Sequence, residues 1–481
     1  MKVLFLHPPW PGNGYGLRSQ NRWPRKRGDK TNRYPILLCY TATLLKENGF
    51  DVFYIDSVIQ DFDLVKTLEE IEILNPDIIF IETATPTYNF DIEFVYRIKE
   101  KLPEVKILMA GSHVTMFPEK CIEESKVDVV IKGEHDMVTL NVANALRDGK
   151  SLNEIKGICF RENKKIVNTG DAVLINDLDS LPFPDRNLIP HQWYAEGHVR
   201  NFPFTFVMAA RGCPNKCAFC LWPNIFYNHR VRVRSPKNIV DELEWLIKKY
   251  GMKEVFFDDD TFNISKKRVM DICNEILNRD VKIVWSCSGR VDCVDEEMLM
   301  SMKKAGCKLI CYGVESANEN TLEKTHKGIN LEMARSAVKL TQKARIIAHV
   351  NLMVGFPWET REEMENTINF GLELNADTVQ YSLVFPHPGS EMYDWALKEN
   401  WFYDEALNDF SMFDMTSGPV LKTEVSREEL MNIVSKAHAR FFLRPGYIIK
   451  QLGQIRNYND LKYTLRGAKS VLKGKIFFKK K

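Results

Sequence analysis

The sequence predicts an α/β protein. A doubly wound, Rossmann-like domain comes first, then a partial (β/α)6 barrel, then a helical C-terminal region. Two observations carry this. Short, nearly all-apolar runs alternate with helical patterns over 1–150, and the same rhythm returns six times from about residue 203. Apolar runs separated by helices imply parallel strands covered on both faces. Six βα units are too few for a closed eight-fold barrel.

In the first region the strands are expected at Lys2–His7, Asp51–Asp56, Asp77–Glu82, Lys106–Gly111 and Val127–Lys132. Helical patterns intervene, for example Ile36–Asn48 and Asp61–Leu74. Residues 151–200 read as a linker. They contain a hairpin at Asn153–Asn168 and the turn Leu181-Pro-Phe-Pro-Asp185, which continues neither helix nor strand. In the barrel, 201–390, strands are expected at Phe204–Ala210, Glu254–Phe257, Ile283–Ser288, Leu309–Val314, His349–Val354 and Thr378–Val384. Helices are expected at Pro236–Tyr250, Lys266–Asn278 and Asp295–Ala305. The remainder, 391–481, is helical and ends in a basic tail.

Composition is that of a globular protein. Of 481 residues, 44% are hydrophobic and 27% charged, and the formal net charge of +2 points to neither nucleic acid nor an acidic substrate. No apolar run reaches the ~20 residues of a membrane span, and Met1–Trp10 does not read as a secretory signal. The expectation is therefore a cytoplasmic protein with reduced thiols. The eleven cysteines cannot all pair within one chain.

Three of them stand apart. Arg211-Gly-Cys-Pro-Asn-Lys-Cys-Ala-Phe-Cys-Leu-Trp222 places Cys213, Cys217 and Cys220 in a C-x3-C-x2-C spacing. Three thiolates on one loop can hold three irons of a cubane cluster and leave the fourth open. Structural zinc is the alternative. It prefers four ligands in paired short spacings, and here only His229 offers itself as a fourth. The other eight cysteines, at 39, 121, 159, 273, 287, 293, 307 and 311, lie mostly in apolar stretches and read as buried side chains.

The expected strand ends of the barrel carry further polar motifs: Phe257-Asp-Asp-Asp-Thr-Phe262, Ser286-Cys-Ser-Gly-Arg-Val-Asp292, Tyr312-Gly-Val-Glu-Ser316 and Gly355-Phe-Pro-Trp-Glu359. Successive carboxylates are costly unless they face cations or donors. The chain resembles radical S-adenosylmethionine enzymes with an N-terminal cobalamin-binding domain. The C-x3-C-x-aromatic-C loop, Gly313–Ser316, Gly355–Glu359 and Phe385-Pro-His-Pro-Gly-Ser390 carry the resemblance. The family's Gly-Gly-Glu pattern is replaced by Asp258–Asp260.

The resemblance implies three cofactors: a [4Fe–4S] cluster on Cys213, Cys217 and Cys220, S-adenosylmethionine and cobalamin. For S-adenosylmethionine it implies Phe219, Asp258, Asp259, Ser288, Arg290, Glu315 and Gly355. For cobalamin it implies the first domain's strand-end loops: Pro9, Thr83, Thr85, Gly111, His113, Val114, Gly133 and Glu134. The D-x-H-x-x-G motif that supplies a cobalt-ligating histidine is absent, so cobalamin without such a ligand is expected. A nicotinamide reading fails, because Gly12-Asn-Gly-Tyr-Gly16 is not G-x-G-x-x-G.

The activity so implied is functionalisation of an unactivated carbon, by methyl transfer or by C–C bond formation or rearrangement. It needs a reductant such as flavodoxin or ferredoxin. A sensor that binds the cofactors without turnover is the alternative. Cys220-Leu-Trp-Pro, Arg230–Ser235 and Arg22-Trp-Pro-Arg-Lys-Arg27 are similar to hopanoid-associated and other lipid-modifying members, which implies a hydrophobic small-molecule substrate. From Arg440 to Lys481 there are twelve Lys/Arg and one acidic residue, interleaved with aromatics. That pattern suits peripheral contact with anionic lipid, at about 1 kcal/mol per basic residue. No nucleic-acid motif accompanies it.

Overall fold

A computed structural model describes residues 1–10, 32–414 and 417–453. The segments Gly12–Gly16, Arg22–Arg27 and 454–481, singled out above, lie outside the described residues.

Two largely parallel sheets organise the chain. The first has the order β2-β1-β3-β4-β5-β6-β7. Its strands are β1 Lys2–His7, β2 Asp51–Asp56, β3 Ile78–Thr83, β4 Lys106–Gly111, β5 Val129–Ile131, β6 Ile158–Glu162 and β7 Lys165–Asn168. The first five are parallel; β6 and β7 add antiparallel. Alternate side chains go to opposite faces. Val3, Phe5 and Phe80 meet the helices Ile36–Glu47 and Asp136–Asp148. Leu4, Leu6 and Ile81 meet Leu64–Leu74, Tyr88–Lys101 and Pro118–Glu124. This is the doubly wound arrangement, with both faces covered.

The stretch expected as a linker is instead packed structure. Its hairpin supplies the sheet's last two strands, because β5 would otherwise be a bare edge. Leu178, Leu181, Ile189, Tyr194 and Val199 are buried in the core that β8 and β11 share with the first sheet. Arg186, 1% exposed, pairs with Glu242 at 3.0 Å and donates to the Phe206 carbonyl at 2.6 Å. Apolar residues spaced between the prolines drive this burial.

The second sheet has the order β15-β14-β13-β12-β11-β8, all parallel. Its strands are β8 Phe204–Val207, β11 Glu254–Phe257, β12 Val284–Gly289, β13 Cys307–Glu315, β14 Ile347–Val354 and β15 Thr378–Leu383. A small antiparallel pair, β9 Ala210–Arg211 and β10 Arg232–Val233, stands at its first corner. β8 is shorter than expected. The N–H groups of Ala209 and Ala210 leave the ladder and donate to Asp259 Oδ1, at 2.7 and 3.0 Å. Serine N-caps start the helices Pro236–Tyr250 and Lys266–Asn278.

The chain then turns helical: Glu391–Lys398, Asp404–Asn408, a 3-10 turn at Phe410–Phe413, Arg427–Phe442 and Pro445–Leu452. Arg427–Phe442 packs on β15, where His438 Nε2 accepts from the Tyr381 N–H at 3.2 Å. No described helix is long and apolar enough to cross a membrane.

Candidate active site at the carboxyl ends of the two sheets

The cysteine loop leaves β9 through Gly212, whose φ is +93°. A Cβ there would stand 2.0 Å from the Arg230 carbonyl oxygen, so only glycine lets the loop cross beside β10. The Gly212 N–H donates to Asp260 Oδ2 at 2.8 Å. Cys213 Sγ lies 3.4 Å from Thr261 Oγ1 and accepts from Asn215 Nδ2 at 3.4 Å. Cys217 and Cys220 are half-buried, and none of the eleven cysteines is in a disulfide. Burial raises the Cys217 thiol pKa, while the cations of Lys327 and Arg290 oppose that rise.

These observations fit an iron–sulfur cluster. Three thiols outside any disulfide share one loop, and nearby cations offset thiolate charge. Among the described residues no three His, Cys, Asp or Glu side chains converge as ligands of a single ion. A cubane spreads its ligands over separate irons and needs no such point of convergence.

Around the loop the structure gathers Phe219, Arg290, Glu315 and a residue that sequence reasoning missed, Lys327. Lys327 Nζ pairs with Glu315 Oε1 at 2.9 Å and lies 5.9 Å from the Phe219 ring centroid. Arg290 Nη1 is 4.0 Å from Cys217 Sγ. Its fork is held by Asp292, at 2.9 and 3.0 Å, and by the Lys327 carbonyl at 2.8 Å. Glu315 has φ +74° and follows an irregularity in the β13–β14 pairing. Gly313 makes room for its carboxylate, since a Cβ there would lie 2.3 Å from Glu315 Oε1.

Other expected ligands have different work here. Asp259 is fully buried. Its Oδ1 takes the two N–H groups named above and its Oδ2 accepts from Arg268 at 3.0 Å, which makes it a strut for the end of β8. Asp258 Oδ1 receives Arg33 Nη2 at 2.7 Å. Gly355, φ +92°, opens space for Leu430 of the C-terminal helix: an added Cβ would be 2.7 Å from Leu430 Cδ2. Glu359 accepts from Ser316, Asn318 and Thr321 at 3.1–3.2 Å and ties the ends of β13 and β14 together. Burial raises its pKa. Ser288 remains on the concave face, partly exposed.

At the first sheet, Pro9, Thr85, Gly111, His113, Val114 and Gly133 stand at or just past strand ends, all buried. Gly111 has φ +127°, and a Cβ would lie 2.0 Å from the Thr83 carbonyl oxygen. His113 is fully buried between Tyr88, Phe117 and Phe410, with ring centroids at 4.1, 5.1 and 4.6 Å. Neither ring nitrogen has a hydrogen-bond partner. Burial lowers its pKa to about 3, so the imidazole is neutral. Buried, orphaned nitrogens beside a glycine-rich strand end fit a large polar cofactor such as cobalamin.

Two expected cobalamin contacts are engaged otherwise. The Thr83 hydroxyl donates to Asp91 at 2.8 Å. Glu134 receives Arg211 at 2.7 Å, Arg232 at 2.6 Å and the Ile175 N–H at 2.9 Å. Asp136 also receives Arg211, at 2.6 Å. This buried cluster locks the first sheet to the start of the barrel. The sequence carried no signal for it, because its partners are about 75 to 100 residues apart.

Fold and site together define a two-part protein: a doubly wound domain whose strand ends face a partial parallel barrel that opens on a three-thiol loop. Residues 207–371 match the Radical SAM superfamily and residues 30–142 the B12 binding domain. An uncharacterised methyltransferase of Pyrococcus horikoshii is 34% identical over 470 residues, covering 97% of this chain and 98% of its own. The anaerobic magnesium-protoporphyrin IX monomethyl ester cyclase of Rubrivivax gelatinosus is 27% identical, covering 98% of this chain and 82% of its own. Among solved structures, the cobalamin-dependent S-adenosylmethionine radical enzyme OxsB, with aqua-cobalamin and S-adenosylmethionine bound, superposes with a TM-score of 0.73. That match has 16% identity and covers 98% of this chain and 71% of OxsB. The chain belongs to the radical S-adenosylmethionine enzymes that carry a B12-binding domain. It is an enzyme of that type, with S-adenosylmethionine, a [4Fe–4S] cluster and cobalamin as cofactors.

Proposed function

We propose that the protein is a methyltransferase acting on an unactivated carbon of a small molecule, with a flavodoxin or ferredoxin as reductant. The relative named as a methyltransferase, aligned over nearly the whole of both chains, carries this reading. When bound, the cluster with S-adenosylmethionine supplies one-electron chemistry at carbon, and cobalamin supplies the methyl-transfer chemistry. Cys213, Cys217 and Cys220 hold the cluster. Arg290 and Lys327 keep positive charge beside it. The Glu315–Lys327 pair and Phe219 bind and orient the cosubstrate. Thr85, Gly111, His113 and Gly133 line the cobalamin side.

The test is anaerobic reconstitution with iron and sulfide, followed by product mass spectrometry with methyl-labelled S-adenosylmethionine. A labelled methyl on a product is expected, with S-adenosylhomocysteine released for each methyl transferred and 5′-deoxyadenosine for each hydrogen abstracted. Wild type without any cleavage would point to the sensor reading. Cys217→Ala should lose the cluster's visible absorption and all cleavage; equal turnover in that variant would refute the assignment of the loop.

A second reading, peripheral membrane contact by an enzyme of lipids, has one structural observation in its favour. The helix Pro445–Leu452 exposes Ile448, Ile449 and Leu452 by 43, 69 and 57% beside Lys450. Sedimentation with anionic vesicles that disappears on deleting Arg466–Lys481 would support it, and unchanged partition would count against it.

A further inference from the structure

The concave face of the barrel departs from what its strands require. A parallel strand covered on both faces should be apolar on both. The convex side obeys: Ile310, Tyr312, Ala348, Val350, Val379 and Tyr381 are at most 3% exposed. On the concave side of β12–β15 the central positions are only partly buried, and most of their side chains are polar. The register sets them in two rows. One runs Ser288, Cys311, His349, Thr378. The next runs Gly313, Asn351, Gln380. Two residues beyond Gly313 on the same strand stands Glu315, about 7 Å further towards the cysteine loop. The shelf therefore continues the site described above.

Its side chains hold one another in place. His349 Nδ1 is 2.8 Å from Thr378 Oγ1, and its Nε2 is 3.1 Å from Asn351 Oδ1. Gln380 Nε2 donates to Ser382 Oγ at 3.0 Å. Among the described residues, Ser288 Oγ and the Gln380 side-chain oxygen make no hydrogen bond. Burial keeps the His349 imidazole neutral. The neighbouring cation, Arg33, is already paired with Glu196 at 2.8 Å and Asp258 at 2.7 Å. The shelf thus offers neutral donors and acceptors and no uncommitted charge. A hydrocarbon laid on it would bury Ser288 Oγ and the Gln380 side-chain oxygen unpaired, at a cost of roughly 1–3 kcal/mol each.

We propose that this shelf is the substrate subsite, and that it takes an uncharged, hydrogen-bonding group such as an amide, a hydroxyl or a ring N–H rather than an acyl or terpenoid chain. The inference rests on the reading of the barrel as an active site, but not on which reaction occurs there. It is tested by equilibrium dialysis of the reconstituted holoenzyme against two extracts of its native host, one aqueous-methanolic and one chloroform-soluble. Retained compounds are identified by mass spectrometry. Wild type should retain compounds from the aqueous extract, and Asn351→Leu with Gln380→Leu should lower that retention about tenfold. The cluster's absorption spectrum checks that the variant is loaded, and Ser288→Ala serves if the double variant does not fold. Retention of chloroform-soluble compounds alone, or equal retention of aqueous compounds by the variant, would overturn the proposal. Retention that depends on the shelf without any label transfer would leave it standing and sink only the methyl-transfer reading.

Discussion

Single side chains decide much of this site. Gly313 is the sharpest case. A methyl group there meets both Glu315 Oε1 at 2.3 Å and Lys327 Nζ at 3.0 Å. Gly313→Ala should therefore force the ion pair apart. The expected outcome is S-adenosylmethionine binding weakened about tenfold or more, with cluster content unchanged, read by equilibrium binding and iron analysis. Gly212→Ala should act differently. Its clash is with backbone, so the cysteine loop itself must move. Iron and sulfide bound after reconstitution should fall, which a metal assay reads directly. Lys327 escaped sequence reasoning because a lone lysine after the short helix Glu319–Lys324 carries no pattern. The strut role of Asp259 was hidden for a related reason. Three aspartates in a row look alike in sequence, and only the fold reveals which one turns inward to hold a strand end.

At the scale of elements, the sequence was more legible. Each expected strand of both sheets is present, because apolar runs bounded by turn residues leave few alternatives. What periodicity could not reveal was the fate of 151–200. Its prolines mask the apolar residues that seat it in the core. Nor could it reveal the β9–β10 pair, whose strands are two residues each. The ends of β1, β2 and β3 also form a polar network. His7 lies 3.4 Å from Asp56 and 3.0 Å from Glu82, with Tyr54 and Tyr194 hydrogen-bonded to Asp56 at 3.1 and 2.8 Å. Burial alone would lower the His7 pKa, but the two carboxylates raise it from 6.5 to about 9. A folded pKa above the unfolded one stabilises fully below pH 6.5, and that contribution is lost as pH rises through 9. It is on the order of 3 kcal/mol. Asp56 is the opposite case. Despite burial its pKa lies below the usual value, so its contribution is present above pH ~4 and lost as pH falls. Thermal denaturation should show melting temperature declining between pH 6.5 and 9, and His7→Gln should flatten that decline.

At the scale of the whole molecule, the join between the two sheets adds a buried electrostatic cluster to the apolar core they share. Arg211 is 1% exposed and serves Glu134 and Asp136 at once. Removing one member of such a set leaves charge buried without a partner, which costs about 3–5 kcal/mol. Arg211→Met should therefore lower the melting temperature more than any change at an exposed pair such as Lys237–Asp241. Added salt should rescue it little, because buried pairs are poorly screened. A differential scanning measurement at two ionic strengths checks both.

That join also limits how the two halves could be recombined. In a chimera, a first domain exchanged for a foreign one would have to bring two acids at the positions of Glu134 and Asp136, in register with the host's arginines at 211 and 232. The ordinary expectation that a cofactor-binding domain can be swapped as a cassette then fails by default. A chimera designed on strand boundaries alone would fold each half and leave the seam open. One that also carries this four-residue signature would close it.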